Sequence, residues 1–162
     1  MIKIAICDDQ KEYLDTAKNL ITQYGAEKDV PFDIIEFSNP SDLLDETVEY
    51  DIYLLDVCMP GITGMSLATE LRAKRIESPI VFLTSYSDYA VQAFGVNATH
   101  YIVKPYTKEE FFNGVDKALA AININSPKTI KLKIEGGYKT ILVYNIVWSE
   151  SNDHYQIISL LN

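Results

Sequence analysis

Asp51-Ile52-Tyr53-Leu54-Leu55-Asp56-Val57-Cys58-Met59-Pro60-Gly61-Ile62-Thr63-Gly64 sets an apolar run against an acid, then places a proline and two glycines in the loop that follows. Residues 51–55 read as a strand buried on both faces, because apolar side chains are not interrupted at every second position. Similar runs lie on either side, at Ile2–Cys7, Phe32–Phe37, residues 79–84 and His100–Val103. Helical patterns separate them. Tyr13, Ala17, Leu20, Ile21 and Tyr24 fall on one face, with Gly25 as the expected stop. Asn39-Pro40 predicts a cap and first turn for a helix reaching about Val48. Further helices are predicted over 64–74, 87–94 and 107–122, the last opened by the capping box Thr107-Lys108-Glu109-Glu110. Strands alternating with helices predict an α/β fold, a parallel sheet covered on both sides, with its functional site at the carboxyl ends of the strands.

Composition agrees with this pattern. The chain has 162 residues, 48% hydrophobic and 23% charged, the balance of a soluble globular protein with a real core. No apolar run approaches the roughly 20 residues needed to span a bilayer, and the amino terminus has no signal-peptide pattern, so no membrane partner is expected. Cys7 and Cys58 sit in apolar stretches without metal-ligand spacing, which suits reduced thiols in the cytoplasm. Residues 1–122 hold 10 Lys/Arg against 20 Asp/Glu, a net of −10, and residues 123–162 hold 4 against 3, a net of +1. An acidic body of this kind argues against phosphate-mediated nucleic-acid binding by residues 1–122.

The strand ends carry the chemistry. Asp8 and Asp9 follow the first strand and Asp56 the third. If those strands are neighbours, three carboxylates meet on one rim. Two anions about 4 Å apart repel by roughly 4 kcal/mol at an effective dielectric of 20, so the group calls for protonation, solvent or a cation. An all-oxygen donor set favours Mg²⁺. Asp8 or Asp9 alone could equally cap the next helix. Thr84 ends the fourth strand with a hydroxyl, and Lys104 ends the fifth with an ammonium. Singly these read as a strand-end cap and a solvated lysine. Together, an acidic nucleophile, a hydroxyl, a lysine and a metal site can bind a transferring phosphoryl group.

Asp8-Asp9, Asp56 with Met59-Pro60-Gly61 and Gly64, Thr84, and Lys104-Pro105 resemble the receiver domain of bacterial two-component response regulators, in order and with suitable spacing across residues 1–122. The resemblance implies a doubly wound, flavodoxin-like five-stranded sheet of order 2-1-3-4-5. It implies phosphorylation of Asp56 by a histidine kinase, with a signalling role in place of conventional enzyme catalysis. Mg²⁺ would be held by Asp9, Asp56 and the Cys58 carbonyl, with Asp8 acting through water. Lys104 would contact the phosphoryl group, and the Lys104–Pro105 bond would be cis. Thr84 and Tyr101 would form the switch, Tyr101 otherwise reading as a half-buried strand tyrosine. Cys58 and Tyr86, two residues beyond Asp56 and Thr84, would tune dephosphorylation. The face of the fourth helix, fifth strand and fifth helix would respond and is a candidate homodimer surface. On that helix Val91 and Phe94 are expected in the core, with Tyr89 left open between core and surface.

Residues 123–128 read as a linker, and 129–162 as a short β-rich segment with strands at 129–134, 139–144, 146–149 and 155–160 around a Gly136-Gly137 turn. Asn145 to Tyr155 looks like the opening third of a LytTR-type DNA-binding domain, which implies promoter DNA as a partner of the full-length protein. His154 is a candidate DNA contact, its plainer reading being an exposed turn histidine. A piece this small rarely folds alone, and tight specific DNA binding by it alone is not expected. Two other readings compete: a stand-alone receiver whose β tail is an oligomerisation arm, and a Mg²⁺-dependent phosphatase using Asp56. The phosphatase ranks lowest because Cys58 stands where that chemistry places a general acid.

Overall fold

The computed structural model describes residues 1–125, 129–134, 137–142, 146–152 and 155–160. The chain divides into two compact units, Met1–Asn123 and Ile124–Asn162.

In the first unit, β1 (Ile2–Cys7), α1 (Lys11–Lys28), β2 (Phe32–Phe37), α2 (Pro40–Asp45), β3 (Ile52–Leu55), α3 (Gly64–Ala73), β4 (Ile80–Thr84), α4 (Ala90–Ala93), β5 (His100–Val103) and α5 (Lys108–Asn125) follow in order. The five strands form one parallel sheet of order β2-β1-β3-β4-β5. Successive residues of a strand face opposite sides. Thus Ile4, Ile6, Ile52, Leu54, Val81 and Leu83 pack with Leu14, Ile21, Phe111 and Val115 of α1 and α5. Ala5, Cys7, Tyr53, Leu55, Ile80 and Phe82 pack with Leu43, Leu67, Leu71 and Val96 on the other face. Both sides of the central strands are therefore buried, the cause of their uninterrupted apolar sequence.

Several boundaries differ from the expectations. α1 does not stop at Gly25 but runs to Lys28, and Asp29 takes the left-handed position at φ 55°. Gly25 serves close packing: a Cβ there would stand 2.8 Å from the Val30 carbonyl oxygen and 3.2 Å from the Phe32 ring. α2 ends at Asp45, short of Val48, because Glu46 is already extended. α4 is a single turn, followed by a 3₁₀ turn at Phe94–Val96. Its core contacts are Ala93 and Val96, with Tyr89 packed partly against them. That i, i+4, i+7 face leaves Val91 and Phe94 on the opposite side, 79% and 80% exposed, which corrects their expected place in the core.

α5 continues to Asn125, three residues into the expected linker, since no helix breaker precedes Pro127. Residues 126–128 lie outside the described residues. In the second unit, β6 (Thr129–Ile134) pairs antiparallel with β7 (Gly137–Leu142), and β8 (Ile146–Asn152) with β9 (Tyr155–Leu160). β7 begins at Gly137, earlier than predicted, with φ 152°. β8 runs three residues past Ser149. Gly136, Tyr144 and His154 lie outside the described residues. Among the described residues no helix is long and apolar enough to cross a membrane.

Candidate functional site

Parallel register assembles the site. Cys7 is opposite Leu55 across β1 and β3, so the residues that follow, Asp8 and Asp56, emerge side by side. The Asp56 N–H donates to the Cys7 carbonyl at 2.9 Å, and the Asp8 N–H to the Phe37 carbonyl at 3.1 Å. Thr84 is opposite Val103 across β4 and β5, and the Lys104 N–H donates to the Thr84 carbonyl at 2.7 Å. This edge lies beyond the carboxyl ends of β1 and β3, where successive connections leave in opposite directions, the usual place for a site in such a sheet.

Asp8, Asp56, Thr84 and Lys104 are all buried. The Lys104 ammonium donates to Asp8 Oδ2 at 2.5 Å and to Asp56 Oδ1 at 3.0 Å, and lies 3.8 Å from the centre of the Tyr13 ring. Asp56 Oδ2 accepts the Cys58 N–H at 2.7 Å, and Asp8 Oδ1 accepts the Gln10 N–H at 3.0 Å. Neither acid is a helix cap: Gln10 holds the N-cap position of α1, and Thr63 caps α3 by accepting the Ser66 N–H at 3.1 Å. Asp9 is exposed beside this group. The Lys104–Pro105 peptide bond is cis.

Burial pushes the Asp8 carboxyl above its ordinary range, against the pull of the Lys104 ammonium and the Gln10 N–H. Burial also lifts the Cys7 thiol to about 12, with the Asp8 and Asp56 charges adding to it. The ammonium is bonded to Asp8 and Asp56 only, and with exposed Asp9 counted the rim carries a formal excess of two negative charges. Among the described residues no three His, Cys, Asp or Glu side chains are gathered into a preformed metal cluster. The cation between Asp8 and Asp56 is the Lys104 ammonium itself. The hard oxygen donors and the uncompensated charge nevertheless fit a small divalent ion, with Asp8, Asp9, Asp56 and the Cys58 carbonyl as its available partners.

Thr84 and Tyr101, the residues expected to switch, hydrogen-bond to Tyr86 and not to these acids. The Thr84 hydroxyl accepts the Tyr86 N–H at 3.4 Å. The Tyr101 hydroxyl donates to the Tyr86 carbonyl, and its ring centre stands 6.0 Å from that of Phe82. Burial pushes the Tyr101 phenol up to about 12, the Cys58 and Asp56 charges adding to it. Tyr86 is 52% exposed and edges onto Tyr89.

Two tyrosines were not singled out as site residues by sequence reasoning. Tyr13 was placed only on the apolar face of α1, yet its ring covers the Lys104 ammonium. Tyr106 buries a hydroxyl that has no hydrogen-bond partner among the described residues. Burial, then the Asp8 charge and Tyr13, lift that phenol to about 12. The available signal was position: Tyr13 is in the first turn after the Asp8 strand end, and Tyr106 is two residues past Lys104.

A doubly wound sheet with two acids and a lysine meeting at this edge defines a receiver. The response regulator receiver domain family matches residues 4–116, and the chain belongs to that family. Members of it are signalling modules, not conventional enzymes. Among curated relatives, the sensory transduction protein LytT of Oceanobacillus iheyensis is 34% identical over 112 residues, covering 65% of this chain and 46% of that protein. The transcriptional regulatory protein LytR of Staphylococcus aureus is 30% identical over 125 residues, covering 74% of this chain and 48% of LytR. The chain thus spans about half the length of the curated relatives it matches. Among solved structures, the response regulatory domain of mrkE from Klebsiella pneumoniae superposes with TM-score 0.69 at 26% identity, covering 76% of this chain and 100% of that one. The response regulator TrrA from Thermotoga maritima, solved in complex with Mg²⁺-BeF, gives 0.64 at 29% identity, covering 73% of this chain and 99% of that one.

Proposed function

We propose that this chain is the receiver part of a cytoplasmic two-component response regulator, phosphorylated on Asp56 by a sensor histidine kinase. The observation that carries the reading is the buried Asp8–Lys104–Asp56 group at the carboxyl edge of the sheet. An Asp56 oxygen attacks phosphorus, the bond from phosphorus to the donor breaks, and the donor leaves with the electron pair. Lys104, already within hydrogen-bond distance of Asp56, keeps its proton and donates to a phosphoryl oxygen. Thr84 donates its hydroxyl to another, giving up the Tyr86 N–H. Asp9, Asp56, the Cys58 carbonyl and Asp8 would hold Mg²⁺, which would supply charge offsetting the phosphoryl oxygens.

The switch then involves Thr84 and Tyr101. Tyr101 is held at the β4–α4 loop through the Tyr86 carbonyl, so movement of Thr84 bears on the contact that fixes Tyr101. Cys58 and Tyr86 flank the path of water to the acyl phosphate and set its lifetime. A homodimer forms through the α4–β5–α5 face, for which exposed Val91, Phe94 and Val103 supply apolar surface. Residues 1–122 act as the receiver, and 129–162 begin a LytTR-type output that binds promoter DNA in the full-length protein, with His154 as a candidate contact. The transcriptional and sensory relatives, each about twice the matched length, support that output.

Incubation with Mg²⁺ and acetyl phosphate, followed by intact mass, tests the reading. One phosphoryl group should be incorporated, and none in Asp56→Asn. Modification that persists in that variant would place the nucleophile elsewhere.

A further inference from the structure

We propose that Tyr13 is a positioning residue for Lys104, holding the ammonium over Asp56 by a cation–π contact while the carboxylates change partners. This deepens the phosphoacceptor reading and rests on it. A lysine ammonium has three N–H donors and no acceptor. In this structure Asp8 at 2.5 Å and Asp56 at 3.0 Å take two of them. The Tyr13 ring centre, 3.8 Å from Nζ and well inside the ~6 Å range of the interaction, meets the remaining side of the charge. The contact lies in a buried setting, where such pairs are strongest.

The turn that carries the ring is tied to Asp8. Asp8 Oδ1 accepts the Gln10 N–H, and the Gln10 carbonyl accepts the Tyr13 N–H at 3.0 Å, so Asp8 anchors the turn that presents the ring. During phosphoryl transfer both carboxylates alter. Asp8 would be shared between the Lys104 ammonium and a divalent ion bound at this rim, and Asp56 exchanges a full negative charge for a bond to phosphorus. The ring is neutral and unchanged throughout. It therefore keeps Nζ at the site in the interval when its ionic partners let go, and the donated N–H can pass from Asp56 to a phosphoryl oxygen without the side chain being lost to solvent.

The test separates the ring's electrons from its shape. With acetyl phosphate as donor, the P–O bond to acetate breaks as the bond to Asp56 forms, and the single-turnover rate is followed by intact mass. Tyr13→Phe should stay within about twofold of the wild type. Tyr13→Leu should slow transfer about tenfold, and pentafluorophenylalanine at this position, which keeps the ring but reverses its quadrupole, should slow it comparably. Independently of any phosphorylation, NMR should show the Lys104 ε and ζ protons shifted upfield by the ring in the wild type and Tyr13→Phe, and unshifted in Tyr13→Leu. A fluorinated ring as fast as phenylalanine, a Tyr13→Leu rate equal to wild type, or Lys104 protons indifferent to the ring would overturn the proposal. Failure of the phosphoacceptor reading looks different: the wild type itself takes up no phosphoryl group while the ring shift is present.

Discussion

Gly64→Ala is the sharpest test of how the site is built into the backbone. A Cβ at Gly64 would stand 1.9 Å from the Asp56 carbonyl oxygen, 2.9 Å from the Asp56 carbonyl carbon and 3.1 Å from Val57 Cα. Reaching even 3.0 Å, a separation below which real Cβ contacts essentially never fall, requires the oxygen and the new methyl to part by 3.0 − 1.9 = 1.1 Å. All three obstacles are backbone, so no side chain can swing aside. The requirement is steric, since Gly64 is not among the positive-φ glycines, Gly61 and Gly137. Overpacking of this kind costs about 1–3 kcal/mol. The shift also pulls on the 2.8 Å bond from the Gly64 N–H to the Val57 carbonyl, whose loss in a buried setting costs about 1–3 kcal/mol more. Together these give about 2–6 kcal/mol from a total stability of about 5–15 kcal/mol. Gly95→Ala is the matched control, with nothing within 4 Å of its Cβ, and should be neutral or stabilising by up to about 1 kcal/mol. Equilibrium urea unfolding followed by circular dichroism reads both variants. A large loss is expected for Gly64→Ala and, on the phosphoacceptor reading, slower phosphorylation because the displaced segment carries Asp56. Equal stability of the two variants would refute the account, because ordinary helix propensity would then outweigh the contact.

Two other perturbations address buried polar groups. Tyr106→Phe removes a buried hydroxyl with no partner among the described residues and should raise stability by about 1 kcal/mol, read as a higher melting temperature; a loss would mean that the hydroxyl is hydrogen-bonded in solution. Asp8 is raised by burial above 3.8, so between that value and its folded pKa the folded state holds more protons than the unfolded, and stability falls as pH rises through this window. In chelator, denaturant midpoints of the wild type should show this fall and those of Asp8→Asn should lack it; identical slopes in the two proteins would remove Asp8 as its source.

The sheet was legible because its central strands are buried on both faces, which leaves long apolar runs with no polar alternation to confuse the period. β1, β2 and β5 end where the sequence reading put them. The strand-end acids, hydroxyl and lysine were legible for the same reason, since a parallel sheet brings every carboxyl end to one edge. Helix ends were less so. Gly25 reads as a stop from local chemistry, but it is needed for close approach to Val30 and Phe32, and a non-glycine residue, Asp29, ends the helix instead. Val91 and Phe94 read as core because they are large and apolar; only tertiary packing shows that the one-turn helix buries Ala93 and the 3₁₀ turn after it Val96. The bond between Lys104 and Asp8, 96 residues apart, and the Tyr13 ring over the same ammonium depend on side-chain direction, which spacing along the chain does not contain.

The α4 segment is fastened unequally at its two ends, and this bears on how a change at the acids would travel. At its carboxyl end Arg72 donates from Nε to the Val96 carbonyl at 3.0 Å and from Nη2 to the Asn97 carbonyl at 3.3 Å, while Nη1 binds the carbonyls of Ile76 and Ser78. One guanidinium thus ties that end to the turn after α3 and the entry to β4. Forked, charge-assisted bonds of this kind resist displacement. At the amino end the side-chain bonds come from neutral donors: the long Tyr86 N–H bond to Thr84, the contact of Ser87 with Asp88, and the Tyr101 hydroxyl on the Tyr86 carbonyl. A displacement entering through Thr84 therefore meets the end without a charged clamp first and pivots against Arg72. On the phosphoacceptor reading, Tyr86 and Tyr89 should move more than Val96 and Asn97, so the apolar surface of Val91 and Phe94 is turned about a fixed point without being unfolded.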